Sequence, residues 1–91
     1  MINGNSREFI NGLYYGDERF FLYNGEKYFI QGYCEDNKYI LEIYVIENEE
    51  NDFHWKSTSQ SNYPVEEFEK TKIFNGKTFW EAEKEIEWVD C

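Results

Sequence analysis

The chain has one histidine, His54, with Asp52 two residues before it and Ser57, Ser59 and Ser61 shortly after. Nucleophilic catalysis uses these types: a hydroxyl to attack, an imidazole to take its proton, a carboxylate to orient the ring. The spacing speaks against that chemistry. Triad groups converge from separate elements onto an oxyanion hole, whereas residues two apart on a strand share a face and point in parallel. Zinc sites gather Cys and His at short spacing, and Cys34, His54 and Cys91 are isolated singles. The run Glu47-Asn48-Glu49-Glu50-Asn51-Asp52 offers oxygens to calcium. It lacks the alternating ligands and the glycine of an EF-hand loop, and reads as a solvated turn. No P-loop, dinucleotide fingerprint or nucleophile elbow occurs. The expectation is a protein without catalytic residues, metal or cofactor, and not an enzyme.

What the sequence offers instead is aromatic surface among acids. Eight Phe, eight Tyr and three Trp make 21% of 91 residues. A chain of this length is one domain, residues 1–91, and buries roughly 60–65% of its unfolded surface. Each ring can bury about 150–250 Å², more than so small a core encloses, so some rings stay at the surface. Tyr14, Tyr15, Tyr44, Trp55, Trp80 and Trp88 are the candidates, with Glu83 and Glu87 as acidic neighbours. Aromatics concentrate at binding hot spots, and acidic rims steer basic partners. The leading expectation is a protein-interaction module for a basic protein surface or for a second copy of itself. A sharper form is an inhibitor that mimics nucleic-acid charge, with Glu47, Glu49, Glu50, Glu83 and Glu87 standing in for phosphates. The alternative is a small-ligand or carbohydrate module in which Trp55 and Tyr44 stack on sugar faces. A plainer role for both rings is to complete a core or cover the sheet.

Charge and compartment narrow the field. A net charge of -10 repels polyanions, so direct nucleic-acid binding and anionic membranes are disfavoured. No apolar run reaches the roughly 18–20 residues of a membrane span, and Met1-Ile2-Asn3-Gly4-Asn5 does not read as a secretion signal. Two cysteines make no disulfide framework, and read as reduced thiols in the cytoplasm. The wealth of Phe, Tyr, Ile, Asn and Lys, residues with AT-rich codons, points to an AT-rich bacterial or phage genome.

The elements that must carry these residues follow from pattern. Asn5 or Ser6, with Glu8, caps a first helix whose Phe9, Ile10, Leu13 and Tyr14 face inward and which Gly16 ends. Glu18–Tyr23 and Glu26–Tyr33 flank Asn24-Gly25, the pair that a type I′ hairpin turn requires. After a turn at Cys34–Asn37, a third strand runs over Lys38–Glu47. Its Tyr39, Leu41, Ile43 and Val45 face the core, while Ile40, Glu42, Tyr44 and Ile46 lie on a face at most half covered. Phe53–Ser57 is a candidate fourth strand, with Phe53, Trp55 and Ser57 opposite His54 and Lys56. Pro64 opens a helix at its first position. Thr78 and Glu81 open another through a capping box, with Phe79, Ala82, Ile86 and Val89 as its apolar stripe. The fold class is α+β: an N-terminal helix, a three- or four-stranded antiparallel meander, and two C-terminal helices on one face.

Two segments carry a resemblance. Tyr23-Asn24-Gly25-Glu26-Lys27-Tyr28-Phe29-Ile30 and Ile73-Phe74-Asn75-Gly76-Lys77-Thr78-Phe79-Trp80-Glu81 resemble a group of small acidic bacterial proteins. That group has a Tyr-Asn-Gly-Lys-x-Tyr-x-Ile hairpin and an Ile-Phe-Asp-Gly-Lys segment before a final acidic helix. The resemblance implies the hairpin and the layout of the chain end, and transfers no functional residue.

Overall fold

The computed structural model describes residues 1–46 and 53–89. The charged run 47–52, with Glu47, Glu49 and Glu50, lies outside the described residues. In chain order the elements are α1 (Ser6–Leu13), β1 (Arg19–Tyr23), β2 (Glu26–Glu35), β3 (Lys38–Val45), β4 (Phe53–Ser59), α2 (Val65–Lys70), α3 (Phe79–Ala82), a 3-10 turn (Glu83–Glu85) and β5 (Glu87–Val89). The strands form one five-stranded sheet in the order β4-β3-β2-β1-β5, and every pairing is antiparallel. Among the described residues no helix is long and apolar enough to cross a membrane.

Local chemistry sets the turns. Asn24-Gly25 has φ of 53° and 78°, Asp36-Asn37 has 52° and 63°, and Asn75-Gly76 has 52° and 80°. Two consecutive left-handed residues make the I′ geometry, whose twist matches paired strands. The first two pairs join β1 to β2 and β2 to β3. The third returns the chain so sharply that Phe74 and Lys77 exchange both backbone hydrogen bonds at 3.0 Å. Asn5 caps α1 by accepting from the Arg7 and Glu8 amides. Thr78 and Glu81 form the full reciprocal capping box. Pro64 sits one residue outside α2, at the N-cap.

The chain end departs from the expected layout. A helix begins at Thr78 but stops after Ala82, and Glu87–Val89 becomes a fifth strand against β1. Continued as a helix, the segment would set Glu81 over Glu85 and Glu83 over Glu87, like charges at i,i+4 that oppose it. As a strand it satisfies the edge of β1, whose backbone groups would otherwise be open to any other chain. Ile2 then brackets β5 from outside, donating its amide to the Ile86 carbonyl and accepting from the Trp88 amide, both at 2.8 Å.

All three helices pack on one face. Phe9, Phe21, Phe68, Phe74 and Phe79 are almost fully buried. Phe9 stacks on Phe79 at 5.4 Å, and meets Phe21 edge-on at 5.7 Å. Trp55 of β4 packs against Phe68 at 5.9 Å. Burial of an aromatic ring stabilises by about 1.5–3 kcal/mol, so this cluster is the main reason a short chain folds. Tyr14, expected in the core, is instead 40% exposed; it is the C-cap, one residue past α1, whose last turn stays buried through Ile10 and Leu13. Strand β4 has a register shift opposite Ile43 and Tyr44. The extra residue puts His54 on the same face as Trp55, where alternation would have placed it opposite.

Candidate interaction surface

Of the eight residues singled out, six (Tyr44, Trp55, Trp80, Glu83, Glu87 and Trp88) do not form one surface. Trp55 is half-buried on Phe68. Trp88 is half-buried against Phe9 and lies under the Arg19 guanidinium, 5.2 Å from its centre. Arg19 is fixed there by Asp17 at 2.9 Å. Tyr44 and Glu87 lie on the opposite face of the sheet, so Trp55 and Tyr44 make no common sugar platform. Glu83 accepts from the Met1 ammonium at 2.7 Å and from the Ser6 hydroxyl at 2.5 Å. Those contacts hold its carboxyl below the usual range, the ammonium contributing most and the hydroxyl next. It braces the chain start and is no free charge of a phosphate mimic. Trp80 alone of the six presents an exposed ring, at 41%.

Around Trp80 a different patch assembles. Its indole donates to Glu69 of α2 at 2.8 Å. Tyr14, at the end of α1, lies in the field of the same carboxylate. Partial burial, then the charges of Glu69 and Glu66, push its phenol above 10.0. Tyr15 beside it is 83% exposed. The Trp80 ring thus bonds this carboxylate, and the exposed Tyr14 ring lies within its field. Next to them opens a cleft of about 470 Å³ lined by Tyr14, Ser59, Ser61, Asn62, Tyr63 and Glu66, among others. Glu66 and Glu67 pair with no cation among the described residues.

The other side of the sheet carries the one buried charged residue described. Glu42 of β3 is 2% exposed. Gln31 and Tyr44 donate to its Oε1 at 2.6 and 2.9 Å, and Tyr33 donates to Oε2 at 3.2 Å. Glu42 was expected on a half-covered face, but its cross-strand neighbours fold over it and cover it. The network keeps the phenols protonated: burial first, then the bond and charge of Glu42, raise Tyr44 to about 12, and Tyr33 is raised for the same reasons. Alternation along single strands gave no sign of this, because its members come from β2 and β3.

His54 has a structural partner. Its Nε2 lies 2.8 Å from the Ile73 carbonyl, which only accepts, so this nitrogen carries the proton. The ring also packs on Tyr28 at 5.2 Å. Among the described residues no three His, Cys, Asp or Glu side chains gather closely enough to hold a metal ion.

Compared with family models, curated proteins and solved structures, the chain finds no match. Its surface chemistry is therefore what bears on function.

Proposed function

We propose that this protein is a small, non-catalytic binding module of the cytoplasm that grips a basic protein surface through Tyr14, Glu66, Glu69 and Trp80. The observation that carries the proposal is the Trp80–Glu69–Tyr14 arrangement. Exposed rings border a carboxylate on a chain of net charge -10. Such a patch suits Arg and Lys, whose stems lie on rings while their heads reach acids. The same acidity favours fast, salt-sensitive association. The test is capture of partners from native cytoplasm by the intact chain, by Trp80→Ala, and by Glu66→Lys with Glu69→Lys. A partner retained by both variants, or bound equally at low and high salt, would sink the proposal.

A second proposal rests on the cleft. Hydroxyls of Ser59 and Ser61, the Asn62 amide and the Tyr14 and Tyr63 rings are groups that bind sugars, and a volume near 470 Å³ falls in the range of about 300–1,000 Å³ for ligand sites. Titrating glycans while following the Ser59–Tyr63 amide shifts tests it, and unmoved resonances would end it.

A further inference from the structure

We propose that the helix-free face of the sheet is closed by a second copy of this chain, packed face to face. The helices all lie on the other side, and by strand alternation Phe20, Leu22, Phe29, Tyr33, Tyr44 and Val89 project from this one. Each is only half-buried by its neighbours. Phe20 packs on Phe29 at 4.9 Å, with the Lys27 ammonium 4.9 Å above its ring. A sheet face meant for water carries mostly polar side chains. This one is mixed: its apolar side chains stand among Lys27, Gln31, Lys56, Thr58 and Glu87, and the rings between them suit packing on another sheet about 10 Å away.

Charge selects the occupant. The charged residues that alternation places on this face are Lys27, Lys38 and Lys56 against Glu35, Glu42 and Glu87. Positive and negative balance there, although the whole chain stands at -10. A basic partner finds no net attraction on this face and is drawn elsewhere. A second copy meets no net local repulsion across a two-fold contact, in which the same patch meets itself. Glu42 fits the scheme: with Gln31, Tyr33 and Tyr44 already donating to it, it needs no cation from across the contact.

Size sets the strength. Five strands at about 4.8 Å spacing, with lengths of roughly 10–33 Å, give about 500 Å² of flat face per copy. Two copies bury about 1,000 Å², below the roughly 1,200 Å² at which stable specific interfaces begin. The dimer is therefore weak. The Tyr14–Trp80 patch lies on the helix side and stays free in the dimer, so this inference stands apart from the proposed function.

The test is sedimentation equilibrium of the full chain up to about 200 µM, a concentration that populates a weak dimer. Two variants, Leu22→Lys and Thr58→Arg, go with it, each checked for folding by circular dichroism. Thr58 is exposed on β4 opposite Ile40, so its variant folds even where Leu22→Lys fails. The expected result is a dimer that weakens at least about tenfold in the folded variants and is unchanged in Trp80→Ala. Salt should tighten it, because two copies at -10 repel at long range and ions screen that repulsion. This is opposite in sign to binding of a basic partner. A monomer mass at every concentration and salt, or an undiminished dimer in folded Thr58→Arg, would overturn the inference.

Discussion

Replacing Glu42 by alanine removes one acceptor from three side chains at once. Gln31, Tyr33 and Tyr44 donate to it at 2.6, 3.2 and 2.9 Å, while the glutamate itself is 2% exposed. A hydrogen bond to a charged group contributes about 1.5–3 kcal/mol when buried. The three donors are half-buried, so water recovers part of each bond, and about 1 kcal/mol per bond is the fair figure. Glu42→Ala should therefore cost about 3 kcal/mol, or about 12–24 °C in melting temperature for a domain of this size. Glu42→Gln keeps the oxygen that Gln31 and Tyr44 use, and asks only the Tyr33 hydroxyl to turn and accept from the new amide. It should cost about 1 kcal/mol. Urea and thermal melts at one fixed protein concentration measure both, the fixed concentration removing any linkage to dimerisation. If both variants fall within about 0.5 kcal/mol of the parent, the carboxylate behaves as a surface group and the network contributes nothing to stability.

Tyr44 offers a spectroscopic companion to that experiment. Its phenol, pushed up to about 12 by burial and by Glu42, should drop toward 10.0 in Glu42→Gln, read from the near-ultraviolet absorbance of tyrosinate. A pKa raised in the folded state stabilises fully below the unfolded value and less as pH climbs, so parent stability should fall between pH 10.0 and about 12. Glu83 works in the opposite sense. Held below 4.5 by the Met1 ammonium and Ser6, it stabilises above that pH and ceases to as acid protonates it. Acid melts of Glu83→Gln should lose the part of the parent's pH dependence that lies below 4.5. Gly32→Ala would put a methyl 2.7 Å from the Tyr63 ring and 2.8 Å from the Gly16 backbone. The ring can shift but the backbone cannot, so a loss of about 1–3 kcal/mol is expected in urea melts; an unchanged midpoint would show that the α1–β1 loop moves freely.

The sequence by itself determined what depends on neighbours a few residues away. Asn24-Gly25 specified a left-handed pair and so a hairpin, as the structure has it. Thr78 and Glu81 specified a helix start, and both halves of the box are present. Of Phe79, Ala82, Ile86 and Val89, marked for burial as one helical stripe, the first three are buried, although Ile86 reaches the core in extended backbone and not on a helix, and Val89 is only half-buried, on the other face of the sheet. Hydrophobicity decides which side chains leave water, but does not by itself choose the period that takes them there. Tertiary structure decided the rest. The open edge of β1 lies more than sixty residues before Trp88 in the chain, and that edge turned an expected helix into β5. The shift in β4 that brings His54 to the helix side of the sheet depends on pairing with β3. Glu42 is hidden by side chains of β2 as well as its own strand. The Tyr14–Glu69–Trp80 patch joins the ends of helices at opposite ends of the chain. Each of these rests on contacts between residues distant in sequence, whose free energy is gained only once the chain has closed on itself, and so no local pattern records them.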